Sequence, residues 1–183
     1  EDCLHVFWLD AYEDQRRNPG KLFLFGKVRV GETGRTASCC ITVTGLERCA
    51  FVLPRERDAV TGEPVTHMDV YNEVRDAMRS VLPPGKGVFA VKKVTRSYAF
   101  DQTDVPRGEH DYLKLVYPAR YPALPQSVTR DGRSYRRIFG CGNPPLETFL
   151  LKRGIKGPCW LEIRGAKAPL ASVSWCKYEV EIG

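Results

Sequence analysis

The chain has 183 residues, 43% hydrophobic and 27% charged, a balance that suits one ordinary domain and excludes disorder as the default reading. Its net charge of +6 is uneven: residues 1–76 hold 10 basic and 13 acidic side chains, a balance of −3, which leaves +9 on residues 77–183. That points to a polyanionic neighbour, nucleic acid being the simplest, or to a solvated basic surface. No apolar run approaches the roughly 20 residues a membrane helix needs, so no membrane partner is expected. Glu1–His5 has neither a basic nor an apolar leader segment, and there is no initiator Met, so the sequence reads as a piece of a longer protein.

Leu4–Leu9 is the first strand candidate, and Asn18-Pro19-Gly20 is a turn. Leu22–Val30 and Thr36–Thr44 flank Gly31-Glu-Thr-Gly34 and predict a hairpin. Arg48–Leu53 is a shorter strand that Pro54 stops. A helix is predicted over 67–82: Thr66 can cap it, Asp69 complements its dipole, Tyr71, Val74, Met78 and Val81 recur as one apolar stripe, and Pro83-Pro84-Gly85 ends it. Val88–Phe100 and Tyr112–Tyr117 are β-branched and aromatic strands. Residues 118–134, with three Pro, read as a loop. Asn143-Pro144 starts a second helix, Leu146, Phe149 and Leu150 form its stripe, and Gly154 takes the left-handed position after its end. Cys159–Ile163 and Val173–Ile182 close the chain as strands. The order β(48–53) α(67–82) β(88–100) β(112–117) α(144–153) β(159–164) is that of a split βαβ unit. The expectation is an α+β fold in one domain, 1–183. A β-hairpin region covers 1–47, a ferredoxin-like region with a mixed or antiparallel sheet covers 48–164, and a C-terminal strand lies in 165–183.

Few residues suggest catalysis. The seven Cys (3, 39, 40, 49, 141, 159, 176) form no C-x-x-C, and most sit in apolar runs, so free thiols in a reducing compartment and no metal are expected. His5, His67 and His110 lie in no nucleophile elbow, and there is no phosphate-binding glycine loop. Two-metal phosphoryl transfer needs clustered carboxylates. The candidates are Asp101 and Asp104, with Glu109 and Asp111, and the acidic turn Asp10, Glu13 and Asp14; both also read as solvated acidic loops. The basic-aromatic stretch is more informative. Residues 77–100 hold five basic side chains and no acid. Alternation in a strand puts Lys92, Val94, Arg96, Tyr98 and Phe100 on one side, where Tyr112 and Lys114 can join from the next strand. Cations beside aromatics on an open sheet suit backbone contact with base stacking, or else form a half-buried face with snorkelling stems. Arg130, Arg133, Arg136 and Arg137 form a second basic cluster. The strand Asp111–Pro118 lacks the glycine-aromatic pattern of an RNA-recognition module.

Leu4-His-Val-Phe-Trp-Leu-Asp-Ala-Tyr-Glu-Asp14 resembles the start of the folded region of the eukaryotic DNA polymerase alpha family, B-family polymerases. So do Leu24–Val28, Ser38-Cys-Cys-Ile41, Phe51-Val-Leu-Pro-Arg-Glu56, Met68–Tyr71, Tyr98-Ala-Phe100 with Asp104-Val-Pro106, and Tyr112–Tyr117. The most specific stretch is Leu146–Glu162, containing Lys-Gly-Pro-Cys-Trp-Leu-Glu, followed by Val173-Ser-Trp-Cys-Lys177. These runs cover nearly the whole chain in the family's order.

The resemblance implies an N-terminal domain that precedes an exonuclease-like domain and the palm. The parent would lengthen short RNA primers with deoxynucleotides at the start of replication, in the nucleus. Its magnesium-binding aspartates would lie in the palm, and its primase and B-subunit contacts outside these residues. The fragment itself would carry no catalytic residue, cofactor or metal. It would brace the exonuclease-like and palm domains and help line the DNA template beside the RNA–DNA primer. Lys92, Arg96, Tyr98, Tyr112, Lys114, Arg136 and Arg137 are the candidate nucleic-acid contacts. The alternative is an autonomous single-stranded nucleic-acid-binding module that uses the same face.

Overall fold

A computed structural model describes residues 3–83, 89–100 and 102–183. In chain order the elements are β1 (Cys3–Tyr12), β2 (Leu22–Val30), β3 (Arg35–Val43), β4 (Glu47–Pro54), α1 (His67–Ala77), β5 (Ala90–Ser97), β6 (Glu109–Pro118), β7 (Tyr135–Phe139), α2 (Pro145–Lys152), β8 (Cys159–Arg164) and β9 (Tyr178–Ile182). The fold is α+β, as the patterning predicts. Two compact units form, Glu1–Leu46 with Pro144–Gly183, and Glu47–Asn143. The expectations that fall on Pro84-Gly85, Val88 and Asp101 lie outside the described residues.

The first unit holds a five-stranded sheet ordered β8-β1-β2-β3-β9, antiparallel except for the β3–β9 pair. Alternation sends Val6, Trp8, Leu22, Leu24, Val28, Ile41, Val43 and Ile163 to one buried face. Gly26 sits where β1 crowds β2 beside the irregularity at Trp8/Asp10. A Cβ there would lie 2.2 Å from the Phe7 carbonyl oxygen, so only glycine fits. The start of α2 is one residue later than Asn143-Pro144 suggests. Pro144 is the capping residue and offers no side-chain acceptor. Instead Glu13 reaches across, and its carboxylate accepts from the Leu146 N–H at 3.1 Å. At the far end Gly154, at φ 65°, closes a Schellman motif: its N–H meets Leu151 O at 3.2 Å, and Ile155 N–H meets Leu150 O at 3.0 Å.

The second unit holds a four-stranded antiparallel sheet ordered β5-β6-β4-β7. α1 starts with a full capping box: Thr66 Oγ accepts from the Asp69 N–H at 3.2 Å, and the Asp69 carboxylate accepts from the Thr66 N–H at 2.7 Å. It ends at Ala77 rather than 82, because Met78 leaves helical geometry (ψ 1°) and a turn continues to Leu82. Val70, Val74, Met78 and Leu82 are its innermost side chains, with Tyr71 and Val81 flanking them, against Ala50, Val52, Leu113, Leu115, Tyr117 and Ile138 of the sheet.

This sheet has the strand order of a split βαβ unit, but its fourth strand differs from the expectation. Tyr135–Phe139 pairs with β4, whereas Cys159–Arg164 pairs with β1 in the first unit. The second crossover therefore runs through 119–134, whose regular structure is one 3₁₀ turn at Gln126–Val128, and α2 belongs to the first unit. The physical reason is apolar matching: Leu161 falls opposite Val6 and Ile163 opposite Leu4, so β8 completes the apolar face of the other sheet.

Candidate nucleic-acid interface

One face of the four-stranded sheet packs on α1. The other carries the predicted basic and aromatic side chains. Register sets Lys92 opposite Lys114, Lys114 opposite Phe51, and Phe51 opposite Phe139, a single row across all four strands. The next row begins with Val94 opposite Tyr112, and then Arg96 stands opposite His110. Two lysines directly opposite each other repel. Lys93, one residue along and on the opposite face, has an acid at hand instead: its ammonium lies 2.9 Å from the Asp111 carboxylate and holds that carboxyl below its usual pKa.

Aromatic rings fill the space between the cations. The Arg96 guanidinium lies 5.9 Å from the Phe51 ring centre and that of Arg137 lies 4.7 Å from Phe139. Tyr98 stacks at a tilt on Phe139 with centroids 4.7 Å apart, and Phe100 meets Tyr98 edge-on at 5.9 Å. Lys92 and Arg96 are exposed, Tyr98 and Lys114 are partly exposed, and Phe100 is 71% exposed. The arrangement offers phosphate-neutralising cations on a stacking surface.

The structure brings Lys92, Arg96, Tyr98, Lys114 and Arg137 together, and it changes the role of the other two candidates. Tyr112 is 3% exposed beneath Phe139 and His110, too deep to stack a base. Among the described residues its hydroxyl has no hydrogen-bond partner, and burial raises its pKa. Arg136 falls where the β4–β7 register slips, Leu53 facing Arg137 and Pro54 facing Tyr135, so it has no opposite number and stands off the row. Arg137 is tethered, donating to Gln102 and standing 3.8 Å from the Asp104 carboxylate. Phe51 and Phe139 are the members that sequence reading misses. Their signal is alternation with Val52 and Ile138, which becomes readable only once the strands are in register.

Among the described residues four of the candidate carboxylates have protein partners. Glu13 caps α2, the Asp14 carboxylate accepts from the N–H groups of Arg16 and Arg17 at 3.0 and 3.1 Å, Asp104 faces Arg137, and Asp111 faces Lys93. Among the described residues the candidate ligand group is Cys3, His5 and Glu162, with donor atoms within 4.8 Å of one another on β1 and β8. Its Glu162 carboxylate is engaged by the Arg164 guanidinium at 2.5 Å.

The chain is 41% identical to the DNA polymerase alpha catalytic subunit of Xenopus laevis over 96% of its length, and 41% identical to that of Mus musculus over 98%. It is 35% identical to the Oryza sativa protein over its full length. The chain belongs to the DNA polymerase alpha catalytic subunit family. It spans 12% of the length of the first two relatives and 13% of the third. No family model matches it.

Proposed function

We propose that the chain is a non-catalytic N-terminal scaffold and template-side domain of a nuclear polymerase that extends RNA primers with deoxynucleotides when replication begins. One observation carries the reading: 96–98% of the chain aligns with polymerase alpha catalytic subunits while spanning 12% of their length. The exonuclease-like and palm domains of the same polypeptide are its neighbours. Magnesium chemistry belongs to the palm, and primase and B-subunit contacts belong to other regions. Glu13, Asp14, Asp69, Asp104 and Asp111 serve as caps and ion-pair partners, which supports a bracing role.

The row Lys92–Lys114–Phe51–Phe139 favours a second reading, an autonomous single-strand-binding module, and titration of a labelled oligonucleotide at several salt concentrations separates the two. A template-side domain binds weakly alone, without sequence preference. Each phosphate contact contributes roughly one unit to the log–log salt slope, so replacing Lys92 and Arg96 together lowers it by about two. Tyr98→Ala lowers affinity with little change in slope, because stacking releases no counterion. Tight binding by the chain alone favours the autonomous module. Charge variants that leave weak binding unchanged remove this face from the template side.

A further inference from the structure

Residues 170–178 push apolar side chains into solvent from a backbone that is tied down. Leu170 and Trp175 are fully exposed, at 106% and 104%, and Val173 is 53% exposed. One carboxylate organises the segment. Glu179, in β9, accepts from the Val173 N–H at 3.0 Å, the Ser174 N–H at 2.7 Å and the Ser174 hydroxyl at 2.6 Å. Ser174 Oγ in turn accepts from the Cys176 N–H at 3.2 Å, and the Lys177 N–H donates to Ser38 Oγ on β3 at 2.9 Å. Glu179 is itself fixed opposite Cys40 in the β3–β9 pair.

A tryptophan left in water forgoes the free energy of burying its large apolar surface. A loop already ordered around it loses little further entropy when that surface is covered. Rigid aromatic anchors of this kind dominate docking energetics. Lys167 and Lys177 flank the apolar residues in sequence, residues 165–178 contain no acid, and the adjoining Glu179 carboxylate is taken up by Val173 and Ser174, so the complementary surface is apolar with an acidic rim. The supply of such a surface is large, since the relatives are about eight times longer than the segment they share with this chain, which spans 12% of them.

We propose that Trp175, with Leu170 and Val173, is the anchor by which this chain docks into an apolar, acid-rimmed groove on the remaining polypeptide of the same polymerase. The proposal rests on the scaffold reading and names the surface that performs it. Hydroxyl-radical footprinting read by mass spectrometry, on the full-length polymerase and on the 183-residue chain, tests it. Trp175 and Leu170 oxidise rapidly in the chain and lose most of that reactivity in the full-length protein. Trp175→Ser leaves the chain's own melting temperature unchanged. In the full-length protein the same change raises proteolysis around the docked segment about tenfold or more, since losing an aromatic anchor weakens docking by at least that factor and cleavage follows the undocked population. Equal oxidation of Trp175 in both proteins overturns the anchor. If other surfaces of the chain gain protection in that case, the scaffold reading stands and only the choice of surface is wrong. If no residue of the chain gains protection, the scaffold reading itself fails. Protection in the chain alone that grows with concentration assigns the patch to a second copy and also overturns the proposal.

Discussion

Glu73 shows how much one polar residue on a helix can hold. It sits on α1, and its carboxylate accepts from the N–H groups of Arg133 and Ser134, both at 2.6 Å, and from the Ser134 hydroxyl. Ser134 is 2% exposed, so its two donors have little access to water, whereas the Arg133 N–H lies at an exposed position. The contact ties the helix to the chain entering β7, some 60 residues away. Glu73→Ala strands the buried donors of Ser134 and should cost about 1–3 kcal/mol, while Glu73→Gln, which keeps an oxygen in place, should cost less than half as much. Urea unfolding of the three proteins measures both; equal stabilities would mean that the donors find other partners. Nothing in the sequence marks Glu73. Its spacing on the helix reads as polar, and its partners lie in a stretch that local pattern makes a loop. Residues legible in advance, such as Thr66 and Gly154, act within a few residues of themselves.

At the scale of elements the same rule explains which expectations fail. Hairpin β2–β3, the two helices and most strand positions follow from alternation, caps and turn residues, all local. β7 has no counterpart among the predicted strands, and the last strand begins at Tyr178 rather than Val173, because Val173 and Ser174 donate their N–H groups to the Glu179 carboxylate instead of to a ladder. The partner of β8 does not follow locally either. Cys159–Arg164 has one apolar side and follows a helix, so chain order alone assigns it to a split βαβ sheet, whereas side-chain matching with β1 assigns it to the other sheet. The cationic face is partly legible for a similar reason: Lys92, Arg96 and Lys114 share parity within their strands, while the burial of Tyr112 and the displacement of Arg136 depend on what covers them and on a register slip. The α1 stripe is legible too, rotated by a fraction of a turn so that Val70 and Leu82 lie deepest beside Val74 and Met78. Val74, at 1% exposure, faces the sheet. Val74→Asp places an unpaired carboxylate in that contact and should cost about 3–5 kcal/mol, against at most about 0.5 kcal/mol for Asn72→Asp on the exposed side. Thermal melts of the pair check this, and similar melting temperatures would place α1 off the core.

For the whole molecule, the titrating groups confine stability from both ends of the pH scale. On the acid side five carboxyls among the described residues are held below their ordinary range. Asp58 accepts from the N–H groups of Thr61 and Val60 and pairs with Arg133, Asp69 accepts from Thr66, and Asp111 faces Lys93. Glu162 faces Arg164, and Glu179 accepts from Ser174 and Val173. A carboxyl whose folded pKa is depressed favours the folded state above its unfolded pKa of roughly 4, and that contribution disappears as pH falls through the depressed value. On the alkaline side burial raises the thiols of Cys39, Cys40 and Cys141 from 9.0 to about 11, and the phenols of Tyr117 and Tyr135 from 10.0 to about 12. Here the sign reverses. The neutral forms favour folding fully below 9.0, and their contribution is lost as the unfolded chain ionises and pH climbs toward about 11 for the thiols and about 12 for the phenols. Urea midpoints measured from about pH 2.5 to about pH 11 should therefore show a plateau from about pH 5 to about pH 9 with a fall on each side. The two flanks separate by substitution. Asp69→Asn and Glu179→Gln should flatten the acid flank and leave the alkaline one alone, because amides do not titrate. Cys141→Ala should do the reverse, lowering the plateau for lost packing while making the alkaline fall shallower. An alkaline flank unchanged by removal of Cys141 would show that its thiol ionises as readily in the folded chain as in the unfolded one, and so that the pocket beside Tyr117 and Tyr135 admits water.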